Sequence, residues 1–209
     1  MAPAASPLRL LVLGDSIAFG TGAARAEDTL GRRLAAELTA DGFDVDLHVL
    51  AVPGAVSADL AAQVRRALPL EPDLALVVIG ANDLARFVPA PQATAALGAA
   101  VTALRAAGSA VVVVPAPDMS MVPFVPPALR PLVRGACSVL QSGQTRVAEG
   151  AGATVASVVA DLAGAFVADP ALFSADRFHP SSAGYARIAR ALGPHVLAAA
   201  RARRDDAAA

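Results

Sequence analysis

From Asp73 to Ile79 the chain runs Asp-Leu-Ala-Leu-Val-Val-Ile, an apolar stretch with no polar break after the aspartate. A half-exposed strand would alternate, and a run this short and rich in branched residues suits a strand covered on both faces. It stops at Gly80-Ala81-Asn82-Asp83. Leu8 to Leu13, apolar but for Arg9, is a similar run that stops at Gly14-Asp15-Ser16, and Ala110 to Val114 stops at Pro115. Buried strands of this kind belong to parallel sheets, because only crossover helices can cover both faces.

The stretches between them supply those helices. Asp28 to Ala40 carries Leu30, Leu34 and Leu38 on one face and ends at Gly42. Further helices are expected at Ser57 to Leu68, Gln92 to Ala107, Ala128 to Glu149 and Ser181 to Ala202. Two more strands are expected, at Asp44 to Val49 and Thr154 to Val158. In the first, Val45, Leu47 and Val49 alternate with Asp44, Asp46 and His48, as on a sheet edge. His48 then reads as a solvated side chain. Ser16 to Ala26, with Gly20 and Gly22, reads as a tight loop. Pro115 to Pro131 holds six prolines and reads as irregular structure. A loop of about twenty residues is expected between the fifth strand and Asp176. Residues 1–7 and 203–209 read as frayed tails. Strand and helix alternate five times, which predicts one α/β domain over residues 1–209. Its core would be a doubly wound, five-stranded parallel sheet with helices on both faces.

Composition narrows function mainly by exclusion. The net charge of −1 gives no reason to expect nucleic acid or an anionic membrane surface. All 17 basic residues are arginine. Without lysine there is no Ser-Lys dyad, Schiff base or Walker-type phosphate loop. The one cysteine, Cys137, excludes an internal disulfide and a cysteine-rich zinc site, and reads as a small buried residue on a helix. No secretory signal or membrane span is read, so a cytoplasmic protein without membrane insertion is expected.

The strand ends carry the chemistry. Open α/β sheets bind ligands at the carboxyl ends of their strands, and Ser16 stands at such an end. Gly54 and Asn82 each follow a strand and share that edge. Backbone N–H groups at glycine turns and a side-chain amide are donors suited to an oxyanion. Asp176 and His179 lie three apart, before the last helix. A tight turn could bring the carboxylate to Nδ1 and leave Nε2 to take a proton. Each of these residues also has a plain reading as a cap or turn residue, and Asp176 with His179 fits either reading equally well.

Taken in order, Gly14-Asp15-Ser16, Gly54, Gly80-Ala81-Asn82-Asp83 and Asp176-Arg177-Phe178-His179 resemble the four blocks of the SGNH (GDSL-type) hydrolases. They span residues 14 to 180. The resemblance implies a flavodoxin-like three-layer fold and a serine hydrolase of acyl esters, lipase- or lysophospholipase-like, needing no metal or cofactor. It implies Ser16 as nucleophile, His179 as base and Asp176 as its orienting acid. Ser16 N–H, Gly54 N–H and the Asn82 amide would form the oxyanion hole, while Asp15 and Asp83 shape their turns. Ile17 stands where the family pattern has leucine. The partner would be a small-molecule ester of short to medium acyl length. Met119, Met121 and Phe124, in the proline-rich segment, are candidates to line an acyl pocket. A carbohydrate O-deacetylase with the same site and a silent binding module of the same fold are the alternatives.

Overall fold

The computed structural model describes residues 6–208. It contains one five-stranded, all-parallel sheet in the order β2-β1-β3-β4-β5. The strands are β1 (Leu8–Gly14), β2 (Val45–Val49), β3 (Leu74–Val78), β4 (Ala110–Val114) and β5 (Thr154–Val155). The helices are α1 (Ser16–Phe19), α2 (Leu30–Ala40), α3 (Leu60–Ala67), α4 (Ala81–Ala85), α5 (Ala90–Ala106), α6 (Arg130–Gly150), α7 (Val159–Ala168) and α8 (Ser182–Ala208).

Leu10 to Leu13 and Leu74 to Val77 are fully buried because helices cover the sheet on both sides. On one face Leu30, Leu34 and Leu38 of α2 and Tyr185, Leu192 and Val196 of α8 pack on Leu10, Val12, Leu74, Leu76 and Val112. On the other face α3, α5 and α6 cover Leu11, Leu13, Ala75, Val77, Val111 and Val113. Alternate residues of β1, β3 and β4 therefore enter two separate cores. Strand order reverses between β1 and β3, so a crevice opens at their carboxyl ends.

Several local expectations are corrected. The segment after Gly14 begins with the short helix α1, because the Asp15 side chain accepts from Ile17 N–H (3.0 Å) and caps it. Gly80 to Asp83 likewise opens a short helix, α4. β5 is only two residues long. The expected loop before Asp176 holds α7, which packs Phe166 and Leu162 against the α2/α8 core. The last helix continues to Ala208 and contains Pro194, so residues 203–208 are helical where a frayed tail was expected. Residues 1–5 and 209 of the expected tails lie outside the described residues. Cys137 is buried on α6, and His48 sits on the edge strand beside Asp46 (Nε2–Oδ2, 3.0 Å). Among the described residues no helix is long and apolar enough to cross a membrane.

Two buried glutamines finish the strand ends. Gln63 of α3 accepts from Gly14 N–H and donates to Gly14 carbonyl, both at 2.8 Å. Gln144 of α6 donates to the Ile79 carbonyl (2.9 Å) and accepts from Ala116 N–H (2.8 Å). Each bonds backbone groups at the point where the ladder stops, and buried groups of this kind need partners.

Candidate active site

Ser16 is the first residue of α1 and is 6% exposed. It lies there because β1 ends in a conformation only glycine tolerates. Gly14 has φ +134°, and a Cβ on it would stand 1.8 Å from the Val78 carbonyl oxygen. Asp15 then ties the turn to β3. Its N–H donates to the Val78 carbonyl (3.1 Å), and its carboxylate accepts from Ile17 N–H (3.0 Å) and faces the N–H groups of Gly80 and Ala81. Burial pushes the Asp15 carboxyl up to about 6, those N–H groups oppose the rise, and Asp83 adds to it.

The Gly54 loop is fastened at both ends. Val52 N–H donates to the Gly14 carbonyl (3.1 Å). Ser57 donates its N–H (3.0 Å) and its hydroxyl (3.1 Å) to the buried Asp83 carboxylate. The Asn82 amide donates to the Ala55 carbonyl (3.0 Å), which leaves it one further N–H. Gly54 has φ +82°, and neither its N–H nor that of Ser16 makes a hydrogen bond among the described residues. The Gly54 loop is thus tied at Val52 to the end of β1, two residues before Ser16, and at Ala55 to Asn82.

Asp176 and His179 come from the turn before α8. One Asp176 oxygen accepts from Ser174 Oγ (2.7 Å), Phe178 N–H and His179 N–H (both 2.9 Å). The other accepts from His179 Nδ1 at 2.6 Å. Partial burial pushes this carboxyl up, but the hydrogen bonds from the His179 ring and backbone, from Ser174 and from Phe178 prevail. They hold it well below the usual carboxylate range. His179 Nε2 lies 3.0 Å from Ser16 Oγ, across 163 residues of sequence. The two halves can meet because Gly22 lacks a side chain: a Cβ there would be 2.5 Å from the Pro180 carbonyl oxygen and 3.0 Å from His179 Cβ. A hydroxyl hydrogen-bonded to an imidazole whose other nitrogen is held by a carboxylate can lose its proton as it attacks an electrophilic carbon.

An apolar pocket of about 100 Å³ opens beside Ser16 and His179. Met119 and Met121 line it, as the sequence suggests, but Phe124 does not. Phe124 is exposed and stacks on Phe178 (ring centroids 5.8 Å apart), whose ring meets that of His179 edge-on at 4.8 Å. The walls missed by sequence reasoning are Leu162 and Phe166 of α7 and Ile188 and Leu192 of α8. Their signal was the helical spacing of Val159, Leu162, Ala163 and Phe166, within a stretch read as a loop. Among the described residues no three His, Cys, Asp or Glu side chains gather as they would round a metal ion.

Known proteins resemble this chain in sequence and in fold. The GDSL-like lipase/acylhydrolase family matches over residues 12–187. The GDSL-like esterase Rv1075c of Mycobacterium tuberculosis (strain ATCC 25618 / H37Rv) is 35% identical over 186 residues, covering 87% of this chain. The match covers 59% of that relative, so the chain spans about three-fifths of its length. Among solved structures, TesA superposes with a TM-score of 0.75 at 22% identity, covering 89% of this chain and 96% of TesA. Axe2, an acetylxylan esterase from Geobacillus stearothermophilus, gives 0.73 at 21% identity, covering 91% and 94%. Both share the fold.

Proposed function

Because the chain belongs to the GDSL-like lipase/acylhydrolase family, we propose that it hydrolyses carboxylic acyl esters through a covalent acyl-enzyme on Ser16. The observation that carries this is the continuous contact from Ser16 Oγ to His179 Nε2 (3.0 Å) and from Nδ1 to Asp176 (2.6 Å). His179 takes the Ser16 proton as Oγ attacks the ester carbonyl, then gives it to the departing alkoxide. Water repeats the sequence and releases the acid. Asp176 keeps the Nδ1 proton in place and stabilises the imidazolium. The tetrahedral oxyanion is met by Ser16 N–H, Gly54 N–H and the second N–H of Asn82, donors already fixed before the substrate arrives.

The acyl group enters the pocket between Met119, Met121 and α7. An apolar cavity of about 150 Å³ is enough for benzene, so about 100 Å³ suits a chain of a few carbons. Each methylene buried there adds about 0.8 kcal/mol, until overfilling costs about 1–3 kcal/mol. With p-nitrophenyl esters, kcat/KM should climb over the first carbons and fall for long chains. A sugar O-deacetylase needs room for acetyl only, and an apolar volume of about 100 Å³ favours the longer acyl groups. A profile that peaks at acetate would reverse that preference.

Ser16→Ala should lower kcat by roughly 10⁴–10⁶-fold while the melting temperature stays close to the parent's. The parent should be labelled by a fluorophosphonate at Ser16 and the variant should not. A Ser16→Ala protein that keeps most of its turnover would remove the nucleophile from this reading.

A further inference from the structure

A second pocket, of about 450 Å³, lies against the apolar one, and Met121, Phe166 and Phe173 line both. Its chemistry is different. Arg130, Arg134 and Arg177 line it together with Ser120, and among the described residues no aspartate or glutamate does. Arg130 and Arg134 are four residues apart at the start of α6 and so share a helix face, where like charges repel. No acidic residue precedes Glu149 on that helix to offset them. The nearest relief is Asp118, 3.5 Å from Arg134 Nε. Among the described residues Arg130 Nε donates only to the Val125 carbonyl (3.3 Å). Among the described residues the Arg177 guanidinium makes no ion pair or hydrogen bond, and Arg177 holds a left-handed backbone (φ +56°) in the turn that carries Asp176.

Ser120 supplies an independent observation. It is 1% exposed, and its Oγ is buried with no hydrogen-bond partner among the described residues. A buried hydroxyl left unpaired costs free energy, and such groups commonly mark a site that something else completes.

We propose that this pocket binds a phosphate group. A carboxylate offers two oxygens and a single charge. A phosphate offers three acceptor oxygens and close to two charges, which suits three guanidinium forks and a hydroxyl donor. The phosphate is either carried by the ester substrate or free in solution, and only the first case rests on the hydrolase reading.

Titration calorimetry of the intact protein with inorganic phosphate and with pyrophosphate tests the site. Saturable binding is expected, weakened by about tenfold or more in the double variant Arg130→Gln/Arg134→Gln and also weakened in Ser120→Ala. If the double variant does not fold, Arg134→Gln alone is used. Kinetics then separate the sources. For a substrate-borne phosphate, the double variant raises KM for a butyryl glycerophosphate ester by about tenfold and leaves p-nitrophenyl butyrate within about twofold. For a free ligand, both esters keep their KM and inorganic phosphate raises the melting temperature of the parent but not of the variant. Absence of saturable phosphate binding in the parent, or equal binding by parent and variants, overturns the proposal. Loss of fluorophosphonate labelling at Ser16 would instead strike the hydrolase reading and leave the calorimetry standing.

Discussion

Asp83 and Asp176 belong to opposite halves of one cleft. Asp83 is 1% exposed, beneath the Gly54 loop; the Asp176 side chain is 46% exposed, on the turn before α8. Burial pushes the carboxyls of Asp83 and its neighbour Asp15 up, against the N–H groups that bind them. On Asp176 the balance is reversed, and its hydrogen bonds outweigh partial desolvation. The same residue type is thus used in two ways. The half that presents Ser16, Gly54 and Asn82 is locked by a buried polar network between β1, β3 and the Gly54 loop. The half that presents His179 is held mainly by contacts within a few residues of chain, with the close passage of Gly22 and the Phe124–Phe178 stack beside them. A buried network gives rigidity through many long-range bonds, so an error there is paid in stability. A local turn near solvent can be altered with little cost to the fold, so its residues report on chemistry alone.

Asp176→Asn tests that contrast most sharply. With the wrong imidazole tautomer favoured, kcat should fall by roughly 10⁴-fold, while the melting temperature moves by no more than a few degrees. A variant that loses several kcal/mol of stability along with activity would show that the turn is part of the folding core, and the distinction between the halves would fail.

Asn82→Ala probes the buried side and should have a smaller kinetic effect. One oxyanion donor is typically worth about 10²–10³ in kcat. KM should hardly change, because the donor is aimed at charge that develops only in the transition state. The same change also cuts the 3.0 Å tie to Ala55 and frees the Gly54 loop, so some stability should be lost with it. A rise in KM at constant kcat would make Asn82 a ground-state binding residue.

How much of this was legible beforehand follows the range of the interactions. The strands were readable because an apolar run such as Leu74 to Val78 is a local property, and the site blocks were readable because each sits where such a run breaks. Order along the chain could place Ser16 and His179 at one sheet edge, but not at 3.0 Å. α7 was hidden because Val159 to Ala168 is apolar on most sides, so the helical spacing of Val159, Leu162, Ala163 and Phe166 stands out little from its neighbours. With α7 went the far wall of the pocket. Phe124 was misjudged for a related reason: its neighbours Met119 and Met121 turn inward, and nothing local says that Phe124 turns out to cover Phe178. Gln63 and Gln144 look like surface residues of helices α3 and α6, and their service to strand ends depends on packing 49 and 65 residues away.

The smallest effect is a pH dependence that separates the halves by sign. The Asp15 carboxyl is raised from 3.8 to about 6 in the folded protein. Between those values the folded chain holds a proton that the unfolded chain has released. The stability this contributes is full below about pH 4 and is lost as the pH rises through about 6. Asp176 behaves in the opposite way, because its folded value is lowered: its contribution is present above the unfolded value and is lost as the pH falls below it. The window from pH 4 to 6 therefore belongs to the buried half, where Asp83 shifts in the same direction as Asp15. Asp15→Asn keeps a neutral side chain at every pH, as the folded parent does below about pH 6. Its stability relative to the parent should therefore rise as the pH goes from 4 to 6, by up to about 3 kcal/mol. Urea denaturation of both proteins at intervals across that window measures the gap, and parallel curves would mean that Asp15 releases its proton at the same pH whether the chain is folded or not.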